Sequence, residues 1–168
     1  MVNRLNIQKK PESLSGKEIC KRIERAYKTL IEKDGYLLKV DANERSITHR
    51  LAIHLEAVFP EYNIDCEYNR DGFNSKRLIG YKKNIDSADT NGVTVFPDII
   101  IHRRGKRDNF IVIEAKKLSN TDDSDKEKLD IYKSELLYKY AYFVKVPVGK
   151  DFKNDKCFSV QKFIEEIR

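Results

Sequence analysis

The sequence predicts one α/β domain of mixed type (α+β), and three observations lead to that fold class. Residues 98–117 (DIIIHRRGKRDNFIVIEAKK) hold two runs rich in β-branched residues around a polar segment with Gly105, which is the pattern of a β-hairpin. Other stretches repeat apolar residues at helical spacing, so helices accompany the strands. A length of 168 residues suits a single domain with one substantial core.

The composition of the chain indicates which kinds of partner and which cellular location to expect. The chain has 33 basic and 27 acidic residues and a formal charge of +6, which suits a polyanionic partner, although solvated surface charge is the commoner reason for many lysines. Cys20, Cys66 and Cys157 are too scattered for a zinc site, and their odd number without a secretory signal indicates reduced thiols. No apolar run is long enough to cross a bilayer. We therefore expect a cytoplasmic protein without a membrane partner.

The first part of the chain is predicted to contain one helix after a flexible segment. Residues 1–14 are polar and are expected to be flexible. Residues 17–33 are predicted as an amphipathic helix, whose apolar face consists of Ile19, Cys20, Ile23, Tyr27, Leu30 and Ile31. Asp34-Gly35 is the predicted end of this helix. Residues 36–40 fit either a short strand or a connecting loop.

A second helix is predicted over residues 42–59, with Asp41 as its cap. Glu44 stands three residues after Asp41, which is the spacing of a capping-box partner. Glu44 also lies on the apolar face of the helix, where a carboxylate is costly without a partner. The rest of that face is Ile47, Leu51, Leu55 and Val58. On this helix we expect His49 at the surface and His54 half-buried with a satisfied hydrogen bond.

The next segment combines a strand with an irregular insertion. Residues 62–69 alternate polar and apolar side chains and are predicted as the first core strand, with Glu67 facing either a cleft or solvent. Residues 70–95 are irregular, and cations are interleaved there with Phe73 and Tyr81. This basic insertion is either a flap over nucleic acid or a mobile hairpin with a solvated surface. The candidate nucleic-acid-binding residues are Arg70, Lys76, Arg77, Lys82 and Lys83.

The hairpin is predicted to bring two acids together. Its register pairs Asp98 with Glu114 across neighbouring strands, with Cβ atoms about 5 Å apart. Like charges directly opposite repel each other, most strongly where an apolar ladder excludes water. A divalent cation such as Mg²⁺, which prefers carboxylate oxygens, would convert that repulsion into coordination. Lys116 shares this face two residues further on. A solvent-facing edge hairpin would explain the lysine, but not an aspartate that precedes three consecutive isoleucines.

These residues resemble a known signature. Pro97-Asp98 and Glu114-Ala115-Lys116, at the ends of two strands of one hairpin, resemble the motif of the PD-(D/E)XK nuclease superfamily. The resemblance implies the restriction-endonuclease-like fold, an α-β-β-β-α-β core with a mixed central sheet flanked by helices. It also implies Mg²⁺ (or Mn²⁺) held by Asp98, Glu114 and the carbonyl of Ala115, with Lys116 as the catalytic lysine. Glu44 resembles an additional metal-associated glutamate of that superfamily, and its capping role stays open beside this one.

Three further elements complete the predicted domain. A helix over residues 125–140 carries Lys126 and Lys128, which face either the cleft, as the resemblance implies, or solvent. Its inward side chains are predicted to be Leu129, Tyr132, Leu136 and Leu137. Residues 140–148 are predicted as a core strand and residues 160–167 as a short closing helix.

The resemblance implies a metal-dependent nuclease that hydrolyses phosphodiester bonds in DNA, with RNA left open. The alternative is a catalytically inactive module of the same fold that binds nucleic acid or protein. A third option is a nuclease that cleaves only when another protein recruits it. Because 168 residues leave little room for a separate sequence-reading domain, a homodimer or a recruiting partner protein is the expected route to specificity.

Overall fold

A computed structural model describes residues 14–71, 74–78, 93–121, 124–153 and 160–168. Within these ranges the helices are α1 (Gly16–Lys39), α2 (Glu44–Val58) and α3 (Ser124–Glu135), with short 3-10 helices at Gly149–Asp151 and Val160–Phe163. The strands are β1 (Asn63–Cys66), β2 (Arg70–Asp71), β3 (Asn74–Ser75), β4 (Arg77–Leu78), β5 (Val93–Thr94), β6 (Ile99–His102), β7 (Asn109–Lys117), β8 (Tyr140–Val146) and β9 (Ile164–Ile167). The predicted mixed α/β class is confirmed.

A five-stranded mixed sheet in the order β1-β6-β7-β8-β9 forms the centre of the molecule. Its strands pair antiparallel except for β7 and β8, which are parallel and are connected through α3. Parallel neighbours need such a crossover, because a tight turn can join only antiparallel strands. Two small ribbons, β2-β3 and β4-β5, lie outside the sheet.

The predicted hairpin register is confirmed over its apolar part. Ile100 pairs with Val112, and the neighbouring positions follow the same register. The register shifts after Ile101, where a β-bulge pairs His102 with Asn109, whereas the unshifted register would pair it with Phe110. The bulge leaves Phe110 free to stack on Tyr62, with ring centroids 4.4 Å apart.

The sheet is buried on both faces, which explains the unbroken apolar runs in its central strands. One face packs under α1 and α2 and contributes Ile99, Ile101, Ile111 and Ile113 to that cluster. The opposite face packs under α3 and contributes Ile100, Val112, Ala141 and Phe143. The domain therefore has three layers, with α1 and α2 on one side of the sheet and α3 on the other. No helix in the described ranges is both long enough and apolar enough to cross a membrane.

The first helix is longer than predicted. It runs through Asp34 and Gly35 to Lys39, so residues 36–39 are helical rather than strand or loop. Asp34 is held from α2, by Arg50 at 2.9 Å and by His54 at 2.6 Å. Gly35 lies against Phe152, whose ring would be 3.4 Å from a Cβ at this position. These tertiary contacts outweigh the local turn signal, and the predicted hydrogen bond of buried His54 is confirmed.

The cap of α2 also differs from the prediction. Asn43, not Asp41, precedes the helix, and its side chain accepts a hydrogen bond from Ser46 N at 2.8 Å. Asp41 instead has a φ of 54°, and its carboxylate accepts a hydrogen bond from Lys117 Nζ at 2.7 Å. An aspartate in this left-handed conformation, bound to the neighbouring strand, is not available to cap the helix.

We expect Asn43→Ala to lower the free energy of unfolding by about 1 kcal/mol, because Ser46 N would lose its acceptor. Asn43→Ser retains a side-chain oxygen at the cap, so its unfolding free energy should stay within a few tenths of a kcal/mol of the original. Urea denaturation followed by circular dichroism measures both. Equal losses in the two variants would contradict the assigned cap.

The later elements agree with the sequence prediction in part. The predicted strand at 140–148 is present as β8, which covers Tyr140–Val146. α3 ends at Glu135, earlier than predicted, and Leu137 is 75% exposed with a φ of 56° rather than inward. Residues 160–167 form a 3-10 turn and strand β9 instead of a helix. This segment pairs antiparallel with β8, whose outer edge would otherwise lack hydrogen bonds.

Candidate active site

The candidate site lies where β6 begins and β7 approaches its end. Asp98 immediately precedes β6, and Glu114 lies inside β7 at the position opposite it in the hairpin register. Asp98 Oδ2 accepts a hydrogen bond from Ala115 N at 2.9 Å, which fixes the carboxylate against the neighbouring strand. The two carboxyl groups are close enough for the charge of Asp98 to raise the pKa of Glu114. The predicted meeting of these two acids is therefore present in the fold.

Both carboxyl groups are electrostatically unfavourable as anions. Burial raises the pKa of Asp98 above its ordinary value, against the opposing effect of the Ala115 N–H. Glu114 is only 2% exposed, and burial together with the charge of Asp98 raises its pKa well above the usual range. Two neighbouring carboxylates in a poorly solvated site repel each other, so the site favours binding a proton or a cation between them.

Two lysines lie near the pair, Lys128 on α3 and Lys116 on β7. Lys128 Nζ lies 2.9 Å from Glu114 Oε1. Burial lowers the pKa of Lys128, but attraction to Glu114 outweighs burial, so the net pKa is raised and the ammonium keeps its charge. Lys116, which is 8% exposed, forms an ion pair with Asp125 at the start of α3. Of the two lysines that the sequence placed on this helix, Lys128 reaches the site, whereas Lys126 binds Glu165.

One oxygen of the pair is under-satisfied. Glu114 Oε1 is fully buried and, despite the nearby ammonium, accepts no hydrogen bond of regular geometry from the described residues. The hydroxyl of Tyr132 on α3 is buried beside Glu114, and burial raises its pKa, with the charge of Glu114 adding to the effect. A buried carboxylate oxygen without a well-aligned donor is costly unless another positive group binds it.

Glu44 lies beside the pair but has its own partner. Its Oε2 accepts a hydrogen bond from Lys117 N at 3.1 Å, so the carboxylate joins the start of α2 to the end of β7. Its negative charge contributes to the raised pKa of Asp98, which shows that the two carboxylates are close. Because Glu44 accepts this hydrogen bond from β7, it does not have the alternative role of a capping-box partner. Its side chain faces the end of the sheet, as its position on the apolar face of the helix predicted.

A cleft of about 390 Å³ opens onto Asp98. Its other lining residues are Glu44, Arg45, Thr48, His49, Cys66 and Glu67. Arg45 binds Glu67 across the cleft at 2.8 Å. Burial raises the pKa of Cys66 to about 11, so this thiol is protonated and is a poor nucleophile. Nothing in the sequence pointed to Arg45, and the predicted surface position of His49 did not reveal that this surface borders the cleft.

The donor set fits a hard divalent cation. No group of three or more His, Cys, Asp or Glu side chains with metal-binding geometry occurs in the described part of the chain. Mg²⁺, however, commonly binds through one or two carboxylates and completes its shell with water and substrate. Asp98 and Glu114 supply such carboxylates, and the under-satisfied Glu114 Oε1 is the atom that would gain most from coordination. The carboxyl groups around the site, including Glu44 and Asp125, also outnumber the ammonium groups of Lys116 and Lys128.

The basic insertion is described only in part. Arg70 and Arg77 are exposed, as nucleic-acid contacts require. Lys76 is fully buried, and its ammonium lies over the rings of Tyr68 and Tyr138, 5.1 and 5.4 Å from their centroids. It therefore packs in the interior and does not have the exposed position predicted for it. Lys82 and Lys83, like Phe73 and Tyr81, lie outside the described residues.

Comparison of the chain with protein-family models, with curated proteins and with solved structures found no match.

Proposed function

We propose that this protein is a metal-dependent nuclease that hydrolyses phosphodiester bonds, most readily in DNA. The observation that carries the proposal is the proximity of half-buried Asp98 to buried Glu114, with one Glu114 oxygen lacking a regular hydrogen bond. The element order α2, β1, β6, β7, α3, β8 supports the restriction-endonuclease-like core that the motif resemblance implies. Cleavage by such a site requires a cation, because two anions in this place are otherwise strongly disfavoured.

In this proposal Asp98 and Glu114 hold Mg²⁺ or Mn²⁺, with the carbonyl of Ala115 and Glu44 as further oxygen ligands. The cation, when bound, lowers the pKa of a water ligand and neutralises charge on the leaving oxygen. Lys116 orients the attacking water or neutralises the developing charge on the phosphate. The cleft beside Asp98 admits the substrate, and a phosphate there would compete with Glu67 for Arg45.

A non-catalytic module that binds nucleic acid or protein is the second candidate. The observation in its favour is that both site lysines already have acidic partners, Lys116 with Asp125 and Lys128 with Glu114. A site neutralised by its own ion pairs is stable without a metal, and such a protein would keep the fold and lack the chemistry.

A cleavage assay separates the two candidates. We expect the purified protein to cut at least one member of a panel of linear, nicked, branched and single-stranded DNA, with RNA tested alongside. Cutting should require Mg²⁺ or Mn²⁺ and stop in EDTA, because the paired carboxylates need the cation. Isothermal titration with Mn²⁺ in the absence of nucleic acid should reveal a site that Asp98→Asn weakens. A protein that neither cleaves the panel nor binds Mn²⁺ would favour the non-catalytic module.

A further inference from the structure

The outer face of α1 carries a stripe of cations. Lys17, Lys21, Arg25, Lys28 and Lys39 are all exposed, and at 100° per residue they lie within an arc of about 80° on the helix. We call these five residues the α1 stripe. The one acidic residue within this arc is Glu32. The opposite face of the helix is buried in the core, through residues that include Ile19, Ile23 and Leu30.

The α1 stripe differs from many of the cations in the described part of the chain because no carboxylate forms a close ion pair with it, although the charge of Lys21 acts on Glu18. Arginines and lysines elsewhere form ion pairs, for example Arg22 with Glu61 and Arg104 with Asp65. No stripe residue forms an ion pair or a side-chain hydrogen bond within the described ranges. Unpaired cations aligned along one rigid element produce a directional positive field, whereas paired cations largely cancel.

The dimensions of the stripe match an extended polyanion. The 24 residues of α1 extend over about 36 Å, close to one helical turn of duplex DNA. Successive stripe residues from Lys17 to Lys28 are separated by about 4.5–6 Å along the axis. A membrane surface is the other extended polyanion in cells, but an interfacial helix inserts an apolar face, and the apolar face of α1 is inside the protein.

The stripe ends at a groove whose contacts lead to the end of β7. A groove of about 590 Å³ at this end is lined by residues that include Lys33, Lys39 and Lys150. Tyr36, which is 74% exposed, projects at the same groove, and an exposed aromatic ring among cations is typical of sites that bind nucleotides. Gly149, which lines the groove, lies against Asp41. Asp41 in turn forms an ion pair with Lys117 at the end of β7.

We propose that the α1 stripe and the groove at its end form a sequence-independent binding surface for the phosphate backbone of a nucleic acid. The proposal rests on the proposed function for the identity of the polyanion. It adds a surface outside the cleft that would hold the substrate while its scissile phosphate approaches Asp98 and Glu114. Binding to such a surface is electrostatic, so its affinity must fall as the salt concentration rises.

The test measures binding in EDTA, where cleavage cannot contribute. A fluorescently labelled duplex of arbitrary sequence is titrated with the full-length protein over a series of salt concentrations. The test variant is Lys21→Gln with Lys28→Gln. The control variant is Lys106→Gln with Arg107→Gln, which removes the same charge from two exposed residues in the turn of the hairpin. Circular dichroism verifies that each variant is folded.

We expect the stripe variant to bind about tenfold more weakly or worse at 0.1 M salt, with a log–log salt slope shallower by about 2, because two phosphate contacts are lost. The control variant should bind nearly as tightly as the original protein. Equal losses in the two variants, or no loss in the stripe variant, would overturn the proposal. So would stripe-dependent binding to phosphatidylserine–phosphatidylcholine vesicles without binding to the duplex. Stripe-dependent duplex binding by a protein that never cleaves would uphold this surface and refute the nuclease.

Discussion

Replacing Asp98 with asparagine is expected to abolish metal-dependent cleavage and to raise the stability of the same protein in EDTA. Cleavage should fall about 10³-fold or more, because coordination of the cation contributes several kcal/mol to the transition state. The asparagine oxygen can still accept the hydrogen bond from Ala115 N, and its amide can donate to Glu114. The fold should therefore persist without the repulsion between two buried acids.

The stability gain has a defined pH dependence. The pKa values of Asp98 and Glu114 are raised in the folded protein, so above about pH 4 the folded state binds more protons than the unfolded state. The contribution of this pair to stability is therefore greatest at low pH and is lost as the pH rises through the raised values. The advantage of Asp98→Asn over the original protein should grow as the pH rises above about 4, to about 1 kcal/mol or 2–4 °C in melting temperature at neutral pH.

Thermal melts in EDTA across this pH range, together with the cleavage assay, measure both effects. Asp130→Asn is the matched control, since Asp130 is an exposed residue of α3 on which no contact in the candidate site depends. It should leave cleavage and the pH profile unchanged. An Asp98→Asn protein that melts lower than the original at neutral pH, or still cleaves, would remove the basis for the paired-acid site.

The second large effect is expected at Lys116. Replacement by methionine, which retains most of the apolar stem, should lower the cleavage rate about 10²-fold at saturating Mg²⁺, because the ammonium at this position no longer stabilises the developing charge. Mn²⁺ binding should change little, since the carboxylates of Asp98 and Glu114 are untouched. This separation of rate from metal binding distinguishes Lys116 from the metal ligands.

The ion pair with Asp125 offers a structural explanation for Lys116, and a double-mutant cycle tests it. If Lys116 only neutralises Asp125, then Lys116→Met combined with Asp125→Asn should recover both stability and activity. We expect stability to recover in part and cleavage to stay as low as in Lys116→Met alone. Asp125→Asn by itself should retain most of the activity. Recovered cleavage in the double variant would assign Lys116 a purely structural role.

The hairpin could be predicted from the sequence because its information is local. The polar segment around Gly105 sets the centre of the hairpin, and this centre determines which side chains of the two unbroken apolar arms lie opposite each other. The position of Asp98 opposite Glu114 follows directly from that register. Glu44 could also be placed, since helical periodicity aligned it with the buried face of α2.

The sequence could not predict features that depend on distant contacts. The extension of α1 through Asp34 depends on two side chains of α2 that local turn preferences do not include. The burial of Lys76 depends on Tyr138, far along the chain, whose ring faces the ammonium. The sequence does not decide whether Lys128 faces the cleft or solvent, because the charge pattern of the helix is the same in both cases. The structure places Lys128 next to Glu114.

The two outer strands of the sheet have a consequence for the behaviour of the protein in concentrated solution. β1 and β9 have four residues each, and β9 places Glu165 and Glu166 side by side along its length. Short, charged edge strands pair poorly with a strand of another molecule. Because β1 and β9 are the outer strands, the long apolar strands β7 and β8 are not exposed to pairing with another molecule, which is the first step toward fibrous aggregates.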